Sequence, residues 1–331
     1  MRVLITGGAG FIGSHVAELF AKRGFDVVIL DDLSTGNRAN VDELVIDYDI
    51  KVIERAAVGL PYCLPDEVDS LDGIIHLGQP SSSPLYWCYP ELFYKTIQEM
   101  QAVLQTAYRF ECPVVYASSS SVYAGNKVPW REDMRIEPWD RYSEVKYICE
   151  RMGILWARRQ GLKFVALRLF SVYGKREEYK GNFANLFTQL IWSGLTGRRL
   201  KIFGLGDQTR DLVYVEDVAE AFYKALQLAY TEKPGFYDVF NVGSGKPYSI
   251  REMVTVISMY GGVKPVVEYL GFYPQFYIMH TCADINKAVE GLEWRPRHAP
   301  EEVVRRLVDY YATRMDVIAE WSPEPPTPLR R

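Results

Sequence analysis

Short apolar runs alternate with longer amphipathic stretches through the first half of the chain. Residues 2–6 (Arg-Val-Leu-Ile-Thr) read as one buried strand and residues 27–30 (Val-Val-Ile-Leu) as the next. Between them, Val16, Leu19 and Phe20 recur at helical spacing. Further strands are predicted at 51–54, 72–78, 113–117 and 164–170. Long helices are predicted at 91–110, with Leu92, Ile97, Val103, Leu104 and Ala107 on one face, and at 142–160. The strand runs are apolar throughout, as in strands covered on both sides. The rhythm of strand and helix predicts an α/β fold built on a doubly wound parallel sheet. Ligands bind such sheets at the carboxyl ends of the strands, where Gly7, Asp31, Gly78 and Ser119 fall.

The pattern changes after about residue 174. A charged loop at 175–181 is followed by a short predicted helix at 182–192 and a short strand at 201–203. Next come an apolar segment at 210–215, a helix at 216–230, Asn241-Val242-Gly243-Ser244-Gly245, a helix from Ser249 and a last helix at 300–313. This predicts a dinucleotide-scale domain at 1–174 and a smaller α/β lobe at 175–318, partly interleaved with the sheet. Residues 319–331 are proline-rich and predicted to be disordered.

Composition narrows the class. With 331 residues, 48% hydrophobic and 24% charged, the chain can bury a large core. A net charge of −4 and the lack of a basic stripe argue against nucleic acid as a partner. No apolar run approaches the roughly 20 residues of a membrane span, so no membrane is expected. Met1 runs straight into a core strand, so no leader is expected either. The five cysteines (Cys63, Cys88, Cys112, Cys149, Cys282) show no CxxC spacing. That argues against a zinc site or a disulfide framework and suits reduced thiols in the cytoplasm; no metal is expected.

The first strand leads into Gly7-Gly8-Ala9-Gly10-Phe11-Ile12-Gly13, then a helix, then a strand ending in Asp31-Asp32. This is the form of a dinucleotide-binding unit of the Rossmann type. Gly7 permits a tight turn, Gly10 lets backbone approach a pyrophosphate, and Gly13 lets helix and strand pack closely. The helix N-terminus around Phe11 and Ile12 offers N–H groups to phosphate. Asp31 would accept hydrogen bonds from the adenosine ribose and repel a 2′-phosphate, which favours NAD over NADP. Leu77 and Gly78 close the facing strand and suggest close approach of backbone to the same ligand.

Tyr142 and Lys146 lie one helical turn apart, on the helix that follows the strand ending in Ser119. A phenol with an ordinary pKa near 10 is a poor base at neutral pH. A neighbouring ammonium and a positive nicotinamide ring both favour the phenolate. Lys146 can also bond the nicotinamide ribose, and Ser119 can hold the reacting hydroxyl. Together the three side chains suit removal of a proton from an alcohol that faces a hydride acceptor.

Gly7-x2-Gly10-x2-Gly13, Asp31, the serine run ending in Val122-Tyr123, and Tyr142-x3-Lys146 resemble the extended short-chain dehydrogenase/reductase superfamily. Within it the chain is most similar to nucleotide-sugar epimerases of the UDP-galactose 4-epimerase type. Residues 168–174, 210–218, 241–243 and 292–296 extend the resemblance to about residue 315. It implies NAD as cofactor and a UDP-hexose as substrate, oxidised transiently at C4 with Tyr142 as base. It also implies Thr96 as a cofactor contact, and Ser120, Ser121, Ser171, Asn185, Leu186 and Arg210 on the substrate side with Ser119. A homodimer through the helices at 91–110 and 142–160 is implied as well, with Ile148, Met152 and Leu155 as a seam. The 4,6-dehydratases of the superfamily carry Asp-Glu after the catalytic Ser/Thr, and UDP-glucuronate decarboxylases carry a Glu there. Ser120 and Ser121 stand in those places.

The chain departs from that pattern at several points. The usual acid after the third strand is absent near Arg55-Ala56, and the helix Asn is missing around 97–101. Ser171 stands where Asn is common. Pro274-Gln275-Phe276-Tyr277 replaces a segment that carries a second diphosphate-binding arginine. Either Lys175, Arg176 or Lys180 substitutes for it, or the substrate is not a standard UDP-hexose. Two alternatives stay open: a net NAD-dependent dehydrogenase or reductase of another hydroxylated substrate, and a non-catalytic NAD-binding scaffold.

Overall fold

The computed structural model describes residues 1–64, 68–275 and 277–323. Its centre is a sheet of seven strands, here β1 (Arg2–Thr6), β2 (Asp26–Asp31), β3 (Lys51–Glu54), β4 (Gly73–His76), β5 (Val114–Ser119), β6 (Phe164–Leu169) and β7 (Tyr237–Val242). Every neighbouring pair is parallel, in the order β7-β6-β5-β4-β1-β2-β3. The chain winds outward from β1 to β3, then returns to the other side of β1. That reversal opens a crevice at the carboxyl ends of β1 and β4.

The uniformly apolar strands are explained by burial on both faces. Along β1, Val3 and Ile5 enter one core, whereas Leu4 enters the other. The first core lies under the helices Phe11–Lys22 and Val215–Thr231, the second under Leu92–Arg109 and Arg141–Gln160.

Local sequence sets the ends of the Arg141–Gln160 helix. Asp140 accepts from Ser143 N at 2.7 Å, a capping box completes the start, and Gly161 ends the helix at φ 75°. Gly153, in its middle, is needed for packing. A Cβ there would meet the Phe164 ring at 2.3 Å, so only glycine lets this helix lie against β6.

The structure differs from expectation in several places. The region 79–90 holds a helix, Ser83–Cys88, where a loop was expected. The helix expected at 182–192 begins at Leu186, because Asn185 accepts from Phe187 N and caps it. β7 completes the sheet from a stretch that gave no clear strand signal. The helix Pro300–Ala312 is followed by another, Met315–Ile318. The expected disorder does not begin at 319: Trp321 is buried against Trp192, ring centroids 5.7 Å apart, and its carbonyl accepts from Arg198. Residues 324–331 lie outside the described residues.

Two histidines are buried in the fold as neutral rings. His15 bonds the Lys175 carbonyl at 3.1 Å, and burial, helped by the Arg176 charge, pulls its pKa down to about 3. His76 is pulled to about 3 by burial and then by the Lys146 charge. Between these values and about 6.5 the unfolded chain binds protons that the folded chain does not. Stability therefore falls as pH falls through that window, by about 2 kcal/mol per histidine at pH 5. Glu99, pushed up to about 7 by burial, gains a proton in the folded chain over the same window and works the other way, so the histidine share is read as a difference. His15→Gln, which keeps a donor toward Lys175, should lose about 2 kcal/mol less than the wild type between pH 7 and pH 5 in urea melts; an identical pH dependence would show that His15 titrates in the folded state as it does in the unfolded chain.

Candidate active site

The glycine turn is built as a cradle. Gly7 has φ 70°, and a Cβ on it would meet Gly78 Cα at 2.5 Å, so the ends of β1 and β4 touch through glycine. A Cβ on Gly13 would meet Gly7 O at 2.0 Å, which fixes the helix Phe11–Lys22 against the turn. Gly10 differs, because the sole neighbour of its Cβ would be Gly7 O at 3.1 Å. A side chain there would fill the crevice. The helix start has no side-chain cap, so its N–H groups face the same space.

Asp31 ends β2 beside this turn. Its carboxylate accepts from Ala9 N and from Leu33 N, each at 2.9 Å, so it braces the glycine loop as well as facing the crevice. Burial raises its pKa and these backbone donors oppose the rise. Its neighbour Asp32 pairs with Lys95 at 2.9 Å. At the β3 end, Arg55 and Ala57 form the wall where an acid was missed.

The crevice continues into a cleft of about 960 Å³. Gly7, Gly10, Phe11, Ile12, Gly13, Asp31, Leu77 and Gly78 line one end of it. Ser119, Ser120, Ser121, Tyr142, Lys146, Ser171, Asn185 and Arg210 also line it, so the structure brings these predicted residues into one space. Two predicted residues stand apart. Thr96 is buried beneath Tyr86, whose hydroxyl lies 2.8 Å from its Oγ1, and Leu186 turns to the core. Asn185 reaches the cleft with its amide already committed, capping through Oδ1 and donating to Val172 O at 2.9 Å.

One stripe of the Arg141–Gln160 helix carries Tyr142, Lys146 and Glu150. Glu150 locks that stripe to the sheet. Arg168 on β6 donates to it twice, at 2.9 and 2.7 Å, and Ser118 on β5 donates a third time. Arg168 also donates to Tyr123 OH at 2.7 Å, and Tyr123 donates to Asn241 of β7 at 2.8 Å. Both charges are buried, so losing either partner would cost about 3–5 kcal/mol.

Tyr142 packs against Tyr86, ring centroids 5.4 Å apart. Burial pushes its hydroxyl up to about 12, while a hydrogen bond with Ser119 acts the other way. Ser119 Oγ also lies 2.9 Å from Ser121 Oγ. Burial pulls the Lys146 ammonium down to about 8, opposed by Cys149, Glu99 and Glu150. Lys146 donates to Gln79 Oε1 and to Ala117 O, both at 2.9 Å, and its Nζ lies 5.8 Å from the Tyr142 ring centre. Its third N–H has no partner among the described residues and is available to a ligand. Sequence reasoning missed Gln79 and Tyr86, because both fall in the stretch read as loop.

The other wall comes from residues beyond 174. Arg210 and Asp211 are adjacent on the strand Thr209–Tyr214 and point opposite ways. Asp211 is buried and accepts from Ser244 N, Gly245 N and Ala283 N at 2.6, 2.9 and 2.8 Å. It thereby ties three segments behind Arg210, whose guanidinium sits 5.4 Å from the Tyr277 ring centre at the cleft. Of the cations weighed as substitutes for the missing arginine, Lys180 lines the cleft, 5.5 Å from the Phe11 ring centre. Arg176 is paired with Glu18 at 2.8 Å and Lys175 lies over Tyr310. Buried Glu177 fixes the loop by accepting from Asn185 N and Thr188 Oγ1, each at 2.6 Å. Phe276, within the departing segment, lies outside the described residues.

Residues 3–243 match the NAD dependent epimerase/dehydratase family. A UDP-glucuronate 4-epimerase of Thermodesulfobacterium geofontis is 30% identical, over 95% of this chain and 97% of that protein. A UDP-N-acetylglucosamine 4-epimerase of Methanobrevibacter ruminantium, solved with UDP-N-acetylmuramic acid, superposes with a TM-score of 0.85 at 27% identity, covering 95% of this chain and 99% of that one. A UDP-glucuronic acid decarboxylase of Xenopus tropicalis is 28% identical, over 95% of this chain and 73% of that protein. The chain belongs to the NAD dependent epimerase/dehydratase family, whose cofactor is NAD.

The cradle fits that cofactor, since the space above Gly10 is what a Cβ would fill. Gly10→Ala should leave the melting temperature nearly unchanged and weaken NAD binding by roughly tenfold or more, about 1.4 kcal/mol or more. Fluorescence titration with NADH beside a thermal melt checks this; full affinity in the variant would place the pyrophosphate elsewhere.

Proposed function

We propose that this chain is an NAD-dependent epimerase that inverts C4 of a UDP-hexose. The observation that carries the proposal is the meeting of Ser119, Tyr142 and Lys146 at the switch-point cleft with serines, not carboxylates, at 120 and 121. Elimination and decarboxylation each need a further acid or base beside the reacting carbon, and no carboxylate stands at those two positions. The similarity to 4-epimerases over nearly the full length supports the same reading.

Bound in the cradle, NAD supplies the hydride acceptor. Ser119 holds the sugar 4-hydroxyl and Tyr142 removes its proton. Lys146 keeps its charge beside the phenol and offers its remaining N–H to the cofactor ribose. Oxidation leaves a 4-keto sugar. Once the other face of C4 is presented, the hydride returns to carbon and Tyr142 returns the proton to oxygen, so no net oxidation remains. Arg210 and Lys180, both from the wall beyond residue 174, bind the diphosphate, with Ser120, Ser121 and Ser171 toward the sugar. Residues 1–174 form the cofactor side and 175–318 mainly the substrate side. The proposed assembly is a cytoplasmic homodimer. On its helices Tyr94, Tyr108 and Leu155 are exposed apolar groups, while Ile148 and Met152 are half-buried.

Incubation with UDP-glucose, UDP-galactose and their N-acetyl and uronate relatives tests the reaction. We expect interconversion of C4 epimers without accumulation of NADH. Steady NADH production with added NAD would support the dehydrogenase reading instead, and silence with every sugar nucleotide would sink the proposal. Tyr142→Phe should abolish turnover and keep NAD binding nearly intact; an unchanged rate would place the base elsewhere. Lys180→Ala and Arg210→Ala should each raise KM about 10–100-fold, the cost of one charge-assisted hydrogen bond of roughly 1.5–3 kcal/mol. A KM unmoved in both would show that the diphosphate lies elsewhere.

A further inference from the structure

We infer that Gln79 is a positioning residue that holds the Lys146 ammonium in place and in its charged form, and so sets how readily Tyr142 ionises. The inference builds on the roles proposed above for Tyr142 and Lys146. It rests on a closed set of hydrogen bonds. Lys146 can only donate, so the Gln79 atom 2.9 Å away must be the carbonyl oxygen. Tyr116 donates to the same oxygen at 2.8 Å, which fills its second lone pair. The amide orientation is thereby fixed, and Nε2 faces His76 Nε2 at 2.9 Å and Thr96 O at 3.4 Å.

The chain continues from there. Because Gln79 donates to His76 Nε2, that nitrogen carries no proton. The neutral ring keeps its proton on Nδ1, directed at Thr6 Oγ1 at 2.7 Å. Thr6 ends β1 and also takes Gly78 N at 3.3 Å. Gln79 therefore links the glycine cradle to Lys146 through buried groups alone. A protonated His76 would lose its acceptor and set a second cation near Lys146. Its pKa of about 3 keeps that from happening at physiological pH.

Lys146 loses proton affinity by burial, and the acceptors at Gln79 and Ala117 offset part of that loss by favouring the ammonium. Gln79→Met keeps the length of the side chain and removes every one of its hydrogen bonds. Lys146 would then be held by Ala117 alone, would turn more freely, and would shed its proton at lower pH. In the NAD-bound protein the positive nicotinamide would draw Tyr142 down into the range where Lys146 is still charged, so loss of that ammonium would move the Tyr142 ionisation to higher pH.

The test uses the NAD-bound protein and no sugar. Tyr142 ionisation is read as ultraviolet phenolate absorbance against pH, each protein being referenced to its own Tyr142→Phe counterpart. We expect the midpoint to rise by about one pH unit in Gln79→Met, a tenfold loss of phenolate at a given pH. Tyr116→Phe removes the other donor to the Gln79 oxygen and should give a smaller rise in the same direction. With a sugar substrate in hand, kcat should fall while KM stays within about threefold, since nothing that touches the sugar has changed. A midpoint unmoved in Gln79→Met overturns the inference; should that variant fail to fold, an unmoved midpoint in Tyr116→Phe does so. A shifted midpoint in a protein that turns over no UDP-sugar leaves this inference standing and removes the epimerase reading.

Discussion

The site depends on one constraint: the register of the Arg141–Gln160 helix against the sheet. A helix can slide or roll on a strand surface at little cost when apolar side chains alone make the contact. Here Glu150 meets Arg168 in two hydrogen bonds and Ser118 in a third, all buried. Gly153 lets the Phe164 ring press against helix backbone one turn further on. These contacts stop both sliding and rolling. Tyr142 and Lys146 lie on the same stripe, two turns and one turn before Glu150, so their height above the strand ends follows from it. The buried pair adds little net stability by itself. Its effect is on position, because any other register strands a charge in the core.

The same logic governs the cradle. Gly7 and Gly78 bring β1 and β4 within contact at the point where the strand order reverses, and Gly13 brings the helix start onto Gly7. Glycines cost chain entropy, which the sheet recovers by packing β1 between two helical layers. Thr6 then joins cradle and cleft, since its hydroxyl touches both Gly78 and His76. The cradle and Tyr142 are set by elements of one sheet, so their relative placement is fixed by the same strands.

Much of this was legible in the sequence. The six strands from β1 to β6, the long helices and the glycine turn were visible because parallel strands buried on both faces leave unbroken apolar runs. Tyr142, Lys146 and Ser119 were visible because helical spacing and a strand end put them together. Other features were hidden for identifiable reasons. β7 reads Tyr-Asp-Val-Phe-Asn-Val, and its polar Asp238 and Asn241 break the run although Asn241 is buried in a network. The helix Ser83–Cys88 is short, starts with proline and sits among serines, so its composition reads as loop. Asn185 was expected as a substrate contact, but its amide is consumed by a cap and a backbone carbonyl, which no linear pattern reveals. Trp321 sits in a proline-rich run yet finds a buried place against Trp192.

On the proposed substrate side, an arginine could be lost without loss of charge. A cation that binds a diphosphate must reach the cleft and stay unpaired by the protein's own carboxylates. Arg176 fails the second condition, because Glu18 holds it outside. Lys180 meets the first through the tight loop that Glu177 draws together, and it meets the second in part: Glu177 lies 3.3 Å away but already accepts two closer hydrogen bonds. The Lys180 ammonium is thus shared between that ion pair and the face of Phe11. Arg210 reaches the cleft from the strand Thr209–Tyr214, its backbone held by the neighbouring Asp211. In the proposed binding mode, one guanidinium fork and one tethered point charge would hold the diphosphate less rigidly than two guanidinium groups. A site of that kind would hold the nucleotide while tolerating the movement of the sugar that inversion at C4 requires.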